Sequence, residues 1–210
     1  MGALSGNTRC MQSRSLVTQN RILDAAVQAL VQFGYAGAST VKIQELAGVS
    51  RGRMLHQYPS RDELLVAAVE HLASGRVDDA GAQVDWPATP SARICAVVDA
   101  MWSTYQQDYF WAATELWIGA RHNDGLRRAL VPVERALNRR VRTATDAMFG
   151  APFTEAPAYP LVRELLNTSM RGVALTYAFD RRRPGSEPDL AMWKDLALDQ
   201  LLGSDHVTEA

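Results

Sequence analysis

The feature that most constrains the fold of this chain is a run of three short helical segments in its first third. Apolar side chains recur at helical spacing over residues 18–33, and Gly34 follows as a helix-terminating glycine does. Residues 40–47 and 50–57 form two shorter segments, with Gly48 in the turn between them. Helices of these lengths joined by a tight glycine turn are typical of a helix-turn-helix.

A fourth helix is predicted directly after this motif. Pro59 ends the third helix, and Ser60 with Glu63 forms a capping box, in which each side chain bonds a backbone N–H group of the other residue. We expect this helix to continue to His71.

The rest of the chain also has helical periodicity, with proline and glycine between the periodic segments. We predict five further helices, at residues 91–109, 111–122, 124–148, 161–179 and 190–202. Alternating Val, Ile and Thr bounded by turn residues, which would indicate strands, is absent from the sequence. The sequence therefore predicts an all-α fold.

Composition limits what kind of protein this chain can be. A hydrophobic fraction of 47% in 210 residues allows a sizeable core and argues against wholesale disorder. The net charge is −1, but residues 1–75 carry seven basic and five acidic side chains, which is compatible with a module that faces nucleic acid. No stretch approaches the roughly 18 apolar residues that span a bilayer. Cys10 and Cys95 alone do not make a disulfide framework, so we expect a cytoplasmic location without membrane contact.

Several residues in the first third follow the spacing of a known family. Gly34-Tyr35, Ile43, residues 47–52 (AGVSRG) and residues 56–64 (HQYPSRDEL) resemble the TetR/AcrR family of bacterial transcriptional regulators. The resemblance implies an N-terminal three-helix helix-turn-helix DNA-binding domain followed by a larger helical ligand-binding and dimerisation domain.

On that basis we expect three parts of the chain with different roles. Residues 1–17 are predicted to be a mobile tail, and residues 18–65 the helix-turn-helix DNA-binding domain. Residues 66–210 are predicted to be the helical regulatory domain, which binds the effector and forms the dimer.

Helical geometry predicts which side chains of the third helix face outward. Met54 and Tyr58 share one side, so Gly52 and His56 point away from it at about 100° per residue. Glycine inside a helix costs roughly 1 kcal/mol relative to alanine, and a close approach to a DNA groove would explain it. From the helical wheel alone, a solvated face with an incidental glycine remains the alternative.

The resemblance implies DNA contacts residue by residue. Leu55 departs from the family, which usually has a tyrosine there. A leucine cannot donate to a phosphate, although it could meet a thymine methyl group or only pack. Gln44 replaces a more usual alanine, and Arg61 resembles a phosphate contact of the family. The expected DNA-binding residues are Ser39, Thr40, Gln44, Ser50, Arg51, Gly52, Arg53, Leu55, His56, Gln57 and Arg61.

The predicted regulatory domain contains two apolar features. Aromatic residues crowd the segment 102–117, which suits an apolar ligand pocket, with ordinary core packing as the alternative. Candidate ligand-binding residues are Trp102, Tyr105, Trp111, Glu115, Trp117 and Met170. The last two helices have apolar faces that the resemblance assigns to a homodimer, with burial in their own domain as the alternative. Candidate interface residues are Leu161, Leu165, Val173, Tyr177, Trp193, Ala197 and Leu201.

No catalytic or metal-binding motif stands out in the sequence, so we expect no enzyme activity, no cofactor and no metal. The predicted function is a ligand-responsive transcriptional regulator, with repression favoured, that binds a pseudo-palindromic double-stranded DNA operator as a homodimer. The predicted effector is a small apolar or amphipathic molecule. The alternatives are a protein of the same fold that acts through protein partners without an effector, and a helical enzyme with scattered catalytic residues.

Overall fold

A computed structural model describes residues 5–82, 85–180 and 187–203 of the chain. Every regular element in this part is helical, which confirms the predicted all-α class. The elements are α1 Ser5–Gly37, α2 Thr40–Ala47, α3 Arg51–Gln57, α4 Arg61–Ala82, α5 Pro90–Tyr105, α6 Asp108–Ala120, α7 Asp124–Phe149, a short 3₁₀ helix Phe153–Glu155, α8 Tyr159–Thr176 and α9 Pro188–Leu202.

Two helices are more than ten residues longer than predicted. Helix α1 begins at Ser5 instead of Thr18, and α4 continues from the predicted end at His71 to Ala82. No proline interrupts either extension, and adding a residue to an existing helix is far less costly than starting a new one. The expectation that helix begins only at Thr18 is therefore wrong. The mobility of the tail stays a prediction, and residues 1–4 lie outside the described residues.

The ends of α5, α6 and α8 also differ from the prediction. Helix α5 ends at Tyr105, and α6 begins at Asp108, whose carboxylate suits the positive end of a helix dipole. Helix α8 begins at Tyr159 with a proline in its first turn, where the missing N–H group costs nothing. It ends at Thr176 instead of Phe179.

The chain divides into two compact units. The first unit comprises Met1–Arg76 and Asp108–Asn138, and the second comprises Val77–Gln107 and Arg139–Ala210. The first unit therefore combines the helix-turn-helix with α6 and the first half of α7. The functional division predicted between residues 65 and 66 is a different kind of boundary, and it stays a prediction.

Each unit has its own apolar interior. In the first unit α1 packs against α2 and α6, and its largest fully buried side chains include Ile22, Leu30 and Leu116. In the second unit α5 packs against α8 and α9, with Leu166 and Trp193 buried between them. Complete burial of such side chains stabilises a fold by about 1.5–3 kcal/mol each.

Candidate nucleic-acid interface

The turn between α2 and α3 is held by local contacts. Ser39 caps α2, because its side-chain oxygen accepts a hydrogen bond from the backbone N–H of Lys42 at 3.3 Å. Gly48 ends α2 with φ 61° and ψ 40°, a left-handed conformation that costs a residue with a Cβ about 1–2 kcal/mol. Arg21 of α1 donates to the carbonyl of Ala47 in the last turn of α2. These contacts set the direction in which the chain enters α3.

The rotation of α3 about its axis is set by two buried residues. Met54 is 1% exposed and Tyr58, which directly follows the helix, is 9% exposed. The side-chain amide of Gln19 donates to the Tyr58 hydroxyl at 3.3 Å. Ser50 caps the helix by accepting a hydrogen bond from the backbone N–H of Arg53 at 3.4 Å. One side of α3 is therefore fixed against the core of the first unit.

The opposite side of α3 is open. Arg51, Gly52, Arg53, Leu55 and His56 are all exposed. Helical periodicity predicts this orientation for Gly52 and His56 and for their neighbours Arg53 and Leu55, whereas Arg51 lies at the start of the helix, where its long side chain reaches outward. A Cβ atom added to Gly52 would meet no heavy atom within 4 Å, so packing inside the protein does not require a glycine there. Two guanidinium groups, an imidazole and one apolar side chain thus lie around a bare stretch of helix backbone.

The remaining expected DNA contacts lie at the edges of this face. Thr40, Gln44 and Gln57 are partly buried, and Ser50 is exposed at the start of α3. The Gln57 Oε1 atom is buried and has no hydrogen-bond partner within the described residues. The Gln57 side chain is therefore directed towards the interior of the protein, although its neighbour His56 is exposed.

Arg61 has an internal role that the sequence did not reveal. Its Nε atom donates to the carbonyl of Ala38 at 3.0 Å, and its Nη2 atom donates to the carbonyl of Tyr35. Its guanidinium also lies over the Tyr35 ring, 4.3 Å from the centroid. Arg61 therefore holds the end of α1 against the start of α4, and its expected phosphate contact stays a prediction. The sequence shows an arginine at the start of a helix, but it does not show that the carbonyl groups of Tyr35 and Ala38 lie within hydrogen-bond distance of it.

A polar cluster joins α1, α4 and α7 within the first unit. The Tyr35 hydroxyl donates to Asp62 Oδ1 at 2.8 Å, and the Asn123 amide donates to the Tyr35 hydroxyl at 2.8 Å and to Asp62 Oδ2 at 3.0 Å. Asn123 Oδ1 also accepts from the backbone N–H of Leu126 at 3.0 Å, which caps α7. Burial, followed by the hydrogen bond to Asp62, raises the pKa of Tyr35. We call Tyr35, Asp62 and Asn123 the polar cluster.

Helix α6 reaches the same end of α1. Glu115 Oε2 accepts a hydrogen bond from the backbone N–H of Tyr35 at 2.8 Å, at the kink where Gly34 has φ 66°. A Cβ atom added to Gly119 would lie 2.6 Å from Tyr35 Cδ1, so only glycine leaves room for the ring. Glu115, expected as a ligand-binding residue, thus has a partner inside the first unit.

The candidate ligand-binding residues fall into two groups. Trp111, Glu115 and Trp117 lie on α6 in the first unit, where Trp117 Nε1 donates to Glu134 at 2.9 Å. Trp102 and Tyr105 on α5, with Met170 on α8, belong to the second unit. Their division between two units could not be read from their proximity in sequence.

In the second unit, Trp102 is the centre of an aromatic cluster. Its ring centroid lies 5.0 Å from that of Trp193 and 5.8 Å from that of Tyr177, which meets it edge-on. The Tyr105 hydroxyl donates to the carbonyl of Asn167 at 3.1 Å. The indole N–H groups of Trp102 and Trp193 are buried and have no hydrogen-bond partner within the described residues. We call Trp102, Tyr105, Tyr177 and Trp193 the aromatic cluster.

The expected dimer interface needs a correction at two positions on α9. Trp193 and Ala197 are 1% and 0% exposed, because they pack inside their own unit. The apolar period of α9 therefore marks burial within the chain, the alternative that the sequence left open. Val173, Tyr177 and Leu201 are partly buried.

Four apolar residues on α8 and in the turn after it remain open. Leu161 is 63% exposed, Leu165 44%, Leu175 39% and Phe179 83%. We call these four residues the α8 stripe. Leu175 and Phe179 were not predicted. They fall on the repeat 161, 165, 168, 172, 175 and 179, whose alternating steps of four and three are the spacing of a helix–helix seam, but Thr168 and Gly172 interrupt its apolar character. Met192 on α9 is a further exposed apolar residue, at 56%.

Two other kinds of site are absent from the part of the chain that the structure describes. It contains no group of three or more His, Cys, Asp or Glu side chains placed to hold a metal ion. None of the helices in the described ranges combines the length and the apolar character needed to cross a bilayer.

The fold and the α3 face define a helix-turn-helix DNA-binding protein, and comparisons with known proteins agree. Residues 22–68 match the family described as bacterial regulatory proteins, tetR family. The HTH-type transcriptional regulator BetI of Brucella anthropi is 24% identical over 187 residues, which are 88% of this chain and 94% of BetI.

Two solved structures share the fold. A transcriptional regulator from Rhodococcus sp. Rha1 has a TM-score of 0.64 and 20% identity, covering 88% of this chain and 95% of its own. FadR from Bacillus subtilis, solved in complex with stearoyl-CoA, has a TM-score of 0.61 and 16% identity, covering 87% of this chain and 97% of its own. Together these matches support a DNA-binding transcriptional regulator of the TetR family, which is the family that the motif spacing resembles.

Proposed function

We propose that this regulator is a repressor that binds a pseudo-palindromic operator as a homodimer and is released by a small apolar or amphipathic effector. The observation that carries the proposal is the outward face of α3, which exposes Arg51, Gly52, Arg53, Leu55 and His56. Arginine bonds the O6 and N7 atoms of guanine with two hydrogen bonds, and an α-helix fits the major groove. A bare glycine at the centre of the face lets the groove approach the backbone.

The edges of the α3 face suit contacts to the DNA backbone. Ser39 and Thr40 lie at the start of α2 and Ser50 lies at the start of α3. Hydroxyl groups and free N–H groups at a helix start bind phosphate readily. We propose phosphate contacts from these residues, and further polar contacts from Gln44 and Gln57.

The α8 stripe supports the homodimer. Leu161, Leu165 and Leu175 fall on one side of α8 at about 100° per residue, and Phe179 is exposed in the turn after it. A two-fold partner could cover them with the same surface of its own. Two recognition helices related in this way would meet half-sites about 34–36 Å apart, or one DNA turn. Met192 extends the proposed interface onto α9.

The aromatic cluster supports the effector site. Trp102 and Trp193 each have a buried indole N–H group without a partner within the described residues, and such a group costs about 1–3 kcal/mol. An apolar effector that carries a hydrogen-bond acceptor would satisfy these donors. We propose Trp102, Tyr105, Trp193 and Met170 as its contacts. The related fold of FadR was solved with stearoyl-CoA, which is a large amphipathic ligand.

The proposed mechanism is thermodynamic linkage between effector and operator. An effector that prefers a conformation unsuited to the operator weakens DNA binding, and the operator weakens effector binding by the same factor. The protein then acts by binding alone, so it requires neither catalysis nor a cofactor.

One selection experiment tests the proposal. Genomic DNA fragments retained by the purified protein are sequenced, and small molecules are then screened for release of the enriched fragment. We expect a pseudo-palindromic motif bound by two chains, as measured from the mass of the complex, and release by at least one apolar compound. Retention of DNA without any common motif at physiological salt would contradict operator binding and favour a protein that acts through protein partners.

A further inference from the structure

Helix α3 has one large apolar side chain that the protein leaves partly uncovered. Leu55 is 38% exposed, whereas Met54, the other large apolar residue of α3, is 1% exposed. The neighbours of Leu55 on the open side are the polar residues Arg53 and His56. Leu55 is therefore not one of the buried core residues of the first unit, and it stands among residues proposed to meet DNA.

The anchoring of α3 keeps Leu55 outside. Met54 and Tyr58 are buried on one side, and Leu55 is rotated from Met54 by about 100° around the helix. Bringing Leu55 inward would require Met54 to leave the core. Only a molecule outside this unit can cover the leucine.

Gly52 makes the surface beside Leu55 accessible. Residues three apart are neighbours on a helix, and helical side chains lean towards the N-terminus. The Leu55 side chain thus leans towards Gly52, where a Cβ atom added to the glycine would have no heavy atom within 4 Å. A base edge that approaches the backbone at Gly52 would meet the methyl groups of Leu55.

The chemistry of the groove decides what Leu55 can recognise. The base edges in the major groove offer hydrogen-bond donors, hydrogen-bond acceptors and one apolar group, which is the C5-methyl of thymine. A leucine has no donor or acceptor, so it cannot pair with a phosphate oxygen or a polar base atom. Covering such an atom with leucine would leave it without a hydrogen bond, at a cost.

We propose that Leu55 selects thymine, through its C5-methyl group, at one position of each operator half-site. This inference rests on the proposed seating of α3 in the major groove and adds the identity of one base. Burying one methyl-sized group is worth about 0.8 kcal/mol, which corresponds to about a fourfold change in affinity per half-site.

Deoxyuridine isolates this methyl group. Uracil lacks the C5-methyl of thymine and keeps every hydrogen-bonding atom. Thymines of the selected operator are replaced one at a time in one half-site, and binding is measured with the wild type, Leu55→Ala and Leu46→Ala. Leu46 is the matched control, because it is a leucine of similar exposure, 40%, that lies on α2.

We expect one thymine position at which uracil weakens wild-type binding about fourfold. Leu55→Ala should bind the thymine and uracil duplexes equally, and Leu46→Ala should discriminate as the wild type does. The inference is overturned if no thymine position responds in the wild type, or if Leu55→Ala still discriminates. Failure to select any specific operator would instead contradict the proposed function.

Discussion

The two compact units differ in the kind of contact that joins the helices within each of them. In the first unit, the polar cluster of Tyr35, Asp62 and Asn123 joins α1, α4 and α7 through hydrogen bonds of 2.8–3.0 Å. In the second unit, aromatic rings 5.0–5.8 Å apart join α5, α8 and α9.

The difference matches what each unit is proposed to do. Hydrogen bonds hold helices in one geometry, since a small displacement leaves a buried group unsatisfied. This suits the unit that must present α3 to DNA. Aromatic packing is less directional, and indole N–H groups that have no partner in the described part of the chain can bond a ligand. The comparison predicts that the second unit loses more stability when a ring is removed and that the first is more sensitive to small polar or steric changes.

The largest expected effect is the removal of a ring from the second unit. Trp193→Ala should lower the free energy of unfolding by about 3–5 kcal/mol, because it leaves a cavity beside Trp102. Trp193→Phe is the matched variant, and it should cost much less since the indole N–H group has no hydrogen-bond partner among the residues that the structure describes. Denaturant unfolding at a fixed protein concentration measures both. A similar loss of unfolding free energy in Trp193→Ala and Trp193→Phe would contradict the packing role of the Trp193 ring.

A single methyl group should disturb the first unit. Gly119→Ala places a Cβ atom 2.6 Å from Tyr35 Cδ1, so the ring or α6 must shift, at about 1–3 kcal/mol. Gly52→Ala is the control, because its Cβ meets open space and alanine favours helix by about 0.5–1 kcal/mol. Unfolding curves should therefore move in opposite directions. If both variants were equally stable, the contact between α6 and Tyr35 would not restrict the fold.

The polar cluster should be energetically coupled. Asn123→Ala removes the bonds to Tyr35 and Asp62 and should cost about 1–2 kcal/mol of unfolding free energy. Tyr35→Phe removes the shared hydroxyl, so the double variant should cost less than the two single losses together, by about 0.5 kcal/mol or more. Strict additivity in this double-mutant cycle would show that the three residues do not act together.

The smallest expected effect concerns pH. The pKa of Tyr35 is raised in the folded protein above the 10.0 of an ordinary tyrosine, first by burial and then by its bond to Asp62. Between pH 10 and that raised value the folded state holds a proton that the unfolded state has lost. The stabilisation from the neutral hydroxyl is thus complete below pH 10 and declines above it. Tyr35→Phe should make unfolding less dependent on pH in this alkaline range, and an unchanged slope would contradict it.

Tyr159 provides the comparison in the second unit. Burial, followed by its bond to Asp146, raises its pKa as well, so its own contribution should remain in Tyr35→Phe. Tyr159→Phe should separately remove the contribution of Tyr159 to the alkaline pH dependence of unfolding.

The sequence predicts the helix-turn-helix well because its signals are local. Gly48, the Ser50 cap and the spacing of Met54 and Tyr58 act over a few residues, so they can be read without knowing the fold. The roles of Arg61 and Glu115 could not be predicted in this way. Both contact the Tyr35 backbone, 26 and 80 residues away along the chain, and only tertiary packing brings them together.

The α8 stripe is an intermediate case. Its repeat was visible in the sequence through Leu175 and Phe179, but repeating apolar residues look alike whether they face a core or a partner. On α9 the same kind of pattern proved to be buried, at Trp193 and Ala197. Exposure in the folded chain separates the two cases.

Operator titrations with two arginine variants test the central claim, that α3 carries specific DNA binding. Arg53 and Arg121 are both exposed, but only Arg53 lies on α3, so their alanine variants lose the same charge at different places. Arg53→Ala should weaken operator binding by roughly 1–3 kcal/mol, or about 5- to 150-fold, while Arg121→Ala binds as the wild type does. Equal affinity of all three proteins, or an equal loss in both variants, would contradict the account.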